Sequence, residues 1–534
     1  MNNYAIILAA GIGSRLYPLT QEYPKSLIKV DGREILDYQI QGYIKSGIKE
    51  ENIYIVTGYK HEMIVDYLKS HYSKVNEIYS PDYLVTNNMY SLYLGLNALK
   101  DKFENILHLF INNADCLYDE NLMEEFVNSK YESAIAVEVG TYNEESMKVV
   151  TRNDNSLVNI SKSISKEDAY GVSIDLYKYS KKSVINLLEI INDYIEVKKD
   201  LKQWTEVAFP QLFKKEKIYP YDIKNKNWVE VDNNEDLLLA DKLFSKIDLR
   251  KKKVIISDLD GTLYVGSKPI ENAIKYIQDT NFDCYFFTNN TSKTPDDYIN
   301  KLNNLGINCK NENILTPLYP LINYLEEKQY KSVYLVSTQK VKDYFVTKLP
   351  NINFEYDKKN NKAVILTYDT EIDYSKLCNI CYLLQNKEIE YLATHQDVFC
   401  PSENGNIPDI GSFIKLLKTT TYRTPDKTFG KPSTKLVEQL LKKYKTEQIF
   451  VVGDRLYTDK ALADNIGCDF ICVLSGETQR LDIQNYKDKY PSLVVKDISE
   501  ISYLADNSKT QMVVERERVI SLIAYKRIKC QKVA

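Results

Sequence analysis

Twice along this chain, short apolar runs alternate with segments of helical period, and that alternation admits few folds. Across residues 4–245 the runs YAIILAA, NIYIVTG, VNEIYS and NILHLFI are interleaved with EILDYQIQGYIKSG, HEMIVDYLKSHY and SLYLGLNALK. Strands that alternate with helices predict a mostly parallel sheet covered on both faces. After a basic stretch at 250–253 the pattern restarts with VIISDL, PIENAIKYIQDT, CYFFTN and TPDDYINKLNNLG, and a related pair, QIFVVGD and ALADNIG, returns later. Between them SVYLVS, AVILTY and YLAT read as strands of an inserted domain. The expected fold is therefore α/β: two Rossmann-like domains with mostly parallel sheets, the second carrying an inserted α/β cap. Expected boundaries are 1–248 for the first domain, 252–317 and 425–503 for the second core, 318–424 for the cap, and 504–534 for a C-terminal extension.

Composition narrows the partners. A chain of 534 residues is long enough for two or three independent cores. Its net charge of −4, with both signs evenly mixed, argues against nucleic acid held by a broad basic surface. No N-terminal run resembles a signal peptide and nothing approaches a membrane-spanning length, so a cytoplasmic location without a membrane span is expected. The nine cysteines lack regular spacing and read as reduced core thiols. Cys378 and Cys381 form the one CxxC, inside a helix-like segment. The extension has partial helical spacing beside Arg516, Arg518, Lys526, Arg527 and Lys529, and reads as an ordinary docked or frayed helix. Homo-oligomerisation is left open.

Two segments carry phosphate chemistry. In LAAGIGSRLYPLTQEYPKS, at 8–26, Gly11 and Gly13 follow a strand directly, where glycines let backbone N–H groups approach a phosphate. Arg15 and Lys25 add the charge to neutralise a triphosphate. The loop matches neither a P-loop nor the dinucleotide fingerprint. In VIISDLDGTLY, at 254–264, an apolar strand ends by projecting Asp258 and Asp260 to the carboxyl edge of a parallel sheet, where ligands bind in open α/β folds. Two carboxylates there can divide the roles of nucleophile and general acid/base.

The first segment resembles the nucleotidyltransferase superfamily that makes nucleotide-activated sugars and alcohols, with GxGxR followed by PxT (Pro18, Thr20) and PK (Pro24, Lys25). The resemblance runs through LIKVDGREILDYQI, VTGYK and TNNMYSLYLGL to WVEVDNNEDL. The NN-aromatic-SLYL segment, with Asn87, Asn88, Tyr90 and Ser91, is most similar to bacterial CTP:phosphocholine cytidylyltransferases. This resemblance implies a nucleotide site at Ala10, Gly11, Gly13, Arg15, Lys25 and Asn88, and magnesium held by Asp115 and Asp232. Asn113 stands where relatives often have the first acid of a DxD. The implied reaction joins CTP to a small phospho-alcohol, such as phosphocholine, glycerol phosphate or a polyol phosphate, and releases pyrophosphate. Tyr170, Trp204 and Glu206 are candidates for the acceptor pocket, with Glu206 either facing a cationic head group or lying as a surface carboxylate. A sugar-1-phosphate nucleotidylyltransferase, or a catalytically silent first domain, are the alternatives.

The second segment resembles the haloacid dehalogenase superfamily. DLDGT, Thr288 with Asn289 and Asn290, Lys431 in FGKPS, and Asp454 with Asp459 in VVGDRLYTD match its four motifs in order. By that resemblance Asp258 forms an aspartyl-phosphate on a phosphate monoester substrate and Asp260 is the acid/base. Thr288 and Lys431 bind the phosphoryl group, with Asn289 and Asn290 beside the substrate, and Asp258, Asp260 and Asp454 hold magnesium. Asp459 is a supporting acid near the metal or Lys431. The insert, with ATHQDVFCPSENG and LSGET, resembles a C2-type cap, which selects substrate; His395, Asp397, Glu403 and Asp409 are the candidate contacts. His395 stands where relatives commonly have asparagine, and Asp409 where a small residue is usual. Together the two halves imply a bifunctional enzyme of surface polysaccharide or lipid decoration.

Overall fold

The computed structural model describes residues 1–400 and 404–502, so Glu403 and the extension 504–534 lie outside the described residues. The chain divides into two units, Met1–Ser245 and a second beginning at Lys246.

In the first unit, strand Asn2–Ala9 is buried from Tyr4 onward on both faces, as a strand between helical layers must be. It lies parallel to Ile53–Thr57 on one side and to Ile106–Asn113 on the other, within a nine-stranded sheet. Asn76–Tyr79 adds a fourth parallel strand. Beyond Ile106–Asn113 the sheet becomes mixed: Gly171–Ser180 runs antiparallel to it and to Ala134–Val139. Lys148–Thr151 and Leu157–Ser161 are joined without a helix, and a short connection forces antiparallel pairing. Ile6, Val56 and Leu92 fill one face of the sheet, and Ile7, Ile55 and Leu36 the other. Because the neighbours of Asn2–Ala9 lie on opposite sides, its carboxyl end opens into a crevice at a topological switch point.

The second unit repeats the device. Six parallel strands run in the order Ile314–Leu315, Asp283–Phe287, Val254–Asp258, Ile449–Gly453, Asp469–Val473 and Leu493–Val495. Val254–Asp258 is the switch strand, and Asp258 sits beside Phe287 in the register, so Thr288 and Asp454 leave the same edge. The inserted cap has its own parallel sheet of Tyr334–Val336, Ala363–Leu366, Glu390–Ala393 and Lys427–Thr428. That last strand lies beyond the expected cap end at 424. Two residues are too short a run to register as a strand in sequence, but their pairing with Leu392 and Ala393 makes them part of the cap. Cys378 and Cys381 are free, half-buried thiols on helix Tyr374–Leu384. Among the described residues no helix is long and apolar enough to cross a membrane.

Candidate active sites

At the switch point of the first unit lies a cavity of ≈380 Å³ lined by Ala10, Gly11, Arg15 and Lys25 on one side. A side chain at Gly11 would meet no atom within 4 Å, so the loop leaves open room where a ligand would approach its backbone. Gly13 does something different from the contact expected of it. It adopts a left-handed backbone (φ +68°), and a Cβ there would come 3.2 Å from Cβ and Cδ of Lys25. It does not line the cavity; its bare Cα makes space for the Lys25 side chain, while Thr20 Oγ1 donates to its carbonyl at 2.8 Å.

Lys25 is the hub of this site. Its Nζ lies 2.8 Å from Asp115 Oδ2 and 2.8 Å from Asp232 Oδ1, and Arg15 Nη2 lies 2.6 Å from Asp232 Oδ2. Burial alone would lower the Lys25 pKa, but Asp115 and Asp232 outweigh it and hold the ammonium charged. The same cations hold Asp232 below the ordinary carboxylate range against the effect of its burial. Strand Cys116–Tyr118 pairs antiparallel with Trp228–Glu230, and Val231 N donates to Asp115 O at 2.9 Å. This pairing adds Glu230: carboxylate oxygens of Asp115, Glu230 and Asp232 lie within 4.8 Å of one another. An all-oxygen, carboxylate-rich set fits a hard divalent cation. Burial, then Asp115 and Asp175, push the Glu230 carboxyl well up, with Lys25 opposing them.

The opposite wall carries the expected acceptor residues. Asn88 Oδ1 accepts from Thr205 N at 2.9 Å, and Asn87 N donates to Leu201 O at 3.0 Å. The two asparagines thus clasp the loop that presents Trp204 and Glu206 to the cavity. Trp204 is 45% exposed, with the Lys162 ammonium 5.0 Å from its ring centroid. Glu206 is buried rather than a surface carboxylate. Tyr177 Oη lies 2.9 Å from Glu206 Oε1 and 2.9 Å from Asp175 Oδ1, and Asn113 Nδ2 donates to Asp175 Oδ2 at 2.9 Å. One phenol proton cannot serve two carboxylates, so this group retains a proton. Burial, then Glu206, push Asp175 up to about 7. Tyr170 is a correction: it does not line the cavity but precedes strand Gly171–Ser180, pinned by Tyr170 N to Val149 O and by Gly140 N to Tyr170 O, with its ring packed on the core.

Asp175 and Glu230 were not singled out from sequence. Glu230 was detectable, because it precedes Asp232 by two in a strand, and alternate strand residues share a face. Asp175 gave no such signal. It sits at a register shift in Gly171–Ser180 with φ +56°, and that irregularity is what brings it into the cavity.

In the second unit, Asp258, Asp260, Thr288, Asn289, Asn290 and Lys431 all line one small cavity of ≈20 Å³ with Asp397, Cys400, Asp409 and Arg455. Lys431 Nζ is in contact with Asp258 Oδ1 and lies 2.6 Å from Asp459 Oδ1. Both acids, with burial opposing them, hold Lys431 charged. Oxygens of Asp258, Asp454 and Asp459 lie within 4.8 Å of one another. Asp454 Oδ1 is buried without a hydrogen-bond partner, while its Oδ2 accepts from Glu477 N at 2.7 Å. A buried carboxylate oxygen left over in an oxygen-rich group suits a divalent cation. A Cβ on Gly476 would lie 1.9 Å from Asp454 Oδ2, so the SGE turn must lack one. Burial, then Asp459, push Asp454 up to about 7.

Two expected roles shift. The Asp260 carboxylate is not in the metal-competent group; Asp459 takes that place because it follows Asp454 on the adjoining turn. Burial raises the Asp260 pKa, which suits a proton donor. The Asn289 amide is already committed: Oδ1 accepts from Lys431 N at 2.8 Å, and Nδ2 lies 3.3 Å from both Asp397 oxygens. Asn289 therefore ties the lysine loop and the cap to the core rather than offering itself to substrate. Thr288 Oγ1 accepts from Asn290 N at 3.1 Å, leaving its proton to donate. Arg455, which the sequence did not single out, bridges Asp397 at 2.9 Å and Glu477 at 2.8 Å.

Two cation-neutralised, carboxylate-rich crevices at the carboxyl ends of switch strands define an enzyme that handles phosphate esters at two places. Residues 4–245 match the nucleotidyl transferase family, residues 255–348 the haloacid dehalogenase-like hydrolases, and residues 428–501 the related hydrolase-like family. The chain thus carries an N-terminal nucleotidyltransferase domain fused to haloacid dehalogenase-like phosphatase domains. An acid sugar phosphatase of Staphylococcus haemolyticus is 29% identical over 269 residues, 49% of this chain and 100% of that protein. The structure of a 4-nitrophenylphosphatase from Thermotoga maritima shares 31% identity over 48% of this chain and 98% of its own, with a TM-score of 0.44. That of a CTP:phosphocholine cytidylyltransferase from Streptococcus pneumoniae shares 24% over 46% and 99%, with a TM-score of 0.38.

Proposed function

We propose that the first site transfers a cytidylyl group from CTP to a small phospho-alcohol and that the second hydrolyses a phosphate monoester through Asp258, both with Mg²⁺. The observation that carries the first half is Lys25 bridging Asp115 and Asp232 at the rim of a cavity whose other wall holds Trp204 and Glu206. An acceptor phosphate oxygen attacks the α-phosphorus while the bond to pyrophosphate breaks. The nucleophile is already anionic, so no residue need take a proton. Lys25 and Arg15 neutralise the phosphates and the Gly11 backbone positions them. Asp115, Glu230 and Asp232 would hold magnesium, which would supply further charge neutralisation. The nucleotide assignment rests on the Asn87–Asn88 segment, and its test is a panel of triphosphates and phospho-alcohols followed by pyrophosphate release. Turnover with UTP or dTTP and a sugar 1-phosphate, but not with CTP, would reverse it.

In the second site Asp258 attacks phosphorus, the ester P–O bond breaks, and Asp260 passes its proton to the departing alkoxide. Asp260 then takes a proton from the water that attacks the aspartyl-phosphate, which frees phosphate and restores Asp258. Thr288 and Lys431 hold the phosphoryl oxygens. Magnesium at Asp258, Asp454 and Asp459 would keep the nucleophile ionised against its burial. Such products would serve activated phospho-alcohol metabolism, of the kind used to decorate surface polysaccharide or lipid.

A further inference from the structure

On the cap side of the second site, Asp409 is oriented from two directions. It caps helix Ile410–Thr421, where its Oδ1 accepts from Ile410 N at 2.6 Å, and the same oxygen accepts from His395 Nε2 at 3.0 Å. Asp409 is 3% exposed and His395 1%. His395 Nδ1 lies 3.3 Å from Thr394 Oγ1, which lies 2.9 Å from Thr291 Oγ1, three residues past Thr288. The Asp409 carboxylate is thereby referenced to the loop that holds the phosphoryl group. Asp409 lines the cavity with Asp258 and Asp260, whereas His395 stands behind it. Among the described residues its Oδ2 takes no hydrogen bond.

Apart from Asp260, the other charges in that lining are spent. Asp397 is neutralised by Arg455 at 2.9 Å, Arg455 also serves Glu477 at 2.8 Å, and Lys431 is held between Asp258 and Asp459. A leaving group bearing a carboxylate or second phosphate would find no uncommitted cation among the described residues that line the cavity and would meet Asp409 instead. A hydroxyl would find an acceptor already aimed. A buried site built around a hydrogen bond also discriminates strongly against ligands that cannot make it.

We propose that Asp409, positioned by His395, is the specificity-determining contact of the phosphatase site, accepting a hydrogen bond from the alcohol so that monoesters of uncharged, polyhydroxylated alcohols are taken and those of anionic alcohols rejected. This rests on the phosphatase reading above. His395 and Asp409 are then the two ends of one device.

The test uses the full chain with Mg²⁺ and three substrates: ribitol 5-phosphate, phosphoglycolate and p-nitrophenyl phosphate. Wild type should prefer ribitol 5-phosphate to phosphoglycolate by roughly 100-fold in kcat/KM. Asp409→Asn keeps a competent helix cap but replaces the charge and the free acceptor oxygen with an amide N–H donor, and Asp409→Gly removes the side chain altogether. Both should cut the ribitol 5-phosphate preference over each other substrate by about 10-fold or more. His395→Asn should raise KM for ribitol 5-phosphate more than it changes kcat, and should add little in the Asp409→Gly background. A wild-type preference for phosphoglycolate, or Asp409 variants that scale all three substrates alike, would overturn the proposal. If p-nitrophenyl phosphate hydrolysis is absent or survives Asp258→Asn, the phosphatase reading itself fails; if it depends on Asp258 while discrimination ignores Asp409, only the specificity assignment fails.

Discussion

Asp175→Asn should make the first unit more stable, and by an amount that depends on pH. Asp175 is half-buried beside Glu206, and its pKa rises from 3.8 to about 7. The folded state therefore holds its proton more tightly than the unfolded chain, so its contribution is fully favourable below pH ~4 and is lost as pH rises through about 7. At about 1.4 kcal/mol per unit, the shift amounts to a few kcal/mol by pH ~8, of which roughly a third has already been lost at pH ~5. Asparagine tolerates the left-handed backbone at this position and can still accept from Tyr177, provided the Asn113 amide turns so that its oxygen meets the new N–H donor. The variant should therefore be more stable than wild type by a few kcal/mol at pH ~8, with an advantage smaller by roughly 2–3 kcal/mol at pH ~5. Both tryptophans, Trp204 and Trp228, lie in the first unit, so tryptophan fluorescence during urea unfolding reports on that unit in the full chain. Equal effects of the substitution at the two pH values, or destabilisation at pH ~8, would show that Asp175 does not carry a raised pKa.

Other outcomes follow from the same contacts. Asp459→Asn removes one of the two acids on Lys431 and one member of the metal-competent group, and should lower phosphatase kcat/KM by about 10- to 100-fold with pyrophosphate release unaffected; steady-state assays of both products check this. Trp204→Ala should raise the acceptor KM several-fold while leaving the CTP KM near wild type, and a change confined to CTP would move Trp204 to the nucleotide side. Chelation of divalent cations should abolish both activities and Mg²⁺ should restore both, since each site is an oxygen-rich group suited to a hard cation; activity that survives exhaustive chelation would remove the metal from the account.

The framework was legible in sequence because strand and helix periodicities are local. Asp258 and Thr288 could be placed at a sheet edge because they end or follow strand-like runs, and Lys431 and Asp454 joined them through the resemblance of their motifs to the haloacid dehalogenase pattern. What sequence left hidden depends on long-range pairing. Asp175 enters its cavity through a bulge that only its neighbours in the sheet define. Glu230 becomes a companion of Asp115 through the antiparallel pairing of two three-residue strands more than a hundred positions apart. The roles expected of Gly13, Tyr170 and Asn289 changed for one reason: residue type and position suggested contact with a ligand, while the fold had already engaged them with Lys25, the core and the cap. His395 and Asp409 were visible as separate oddities, and their hydrogen bond appears only once the cap is folded.

The independence of the two reaction centres is decided by assaying wild type, Lys25→Ala and Asp258→Asn side by side, with pyrophosphate release from CTP plus a phospho-alcohol and phosphate release from a monoester measured on each. Lys25→Ala should lose pyrophosphate release by about 100-fold or more and keep phosphate release, and Asp258→Asn should do the reverse. Loss of both activities in either folded variant, or persistence of pyrophosphate release in Lys25→Ala, would contradict an enzyme with two separate phosphate chemistries.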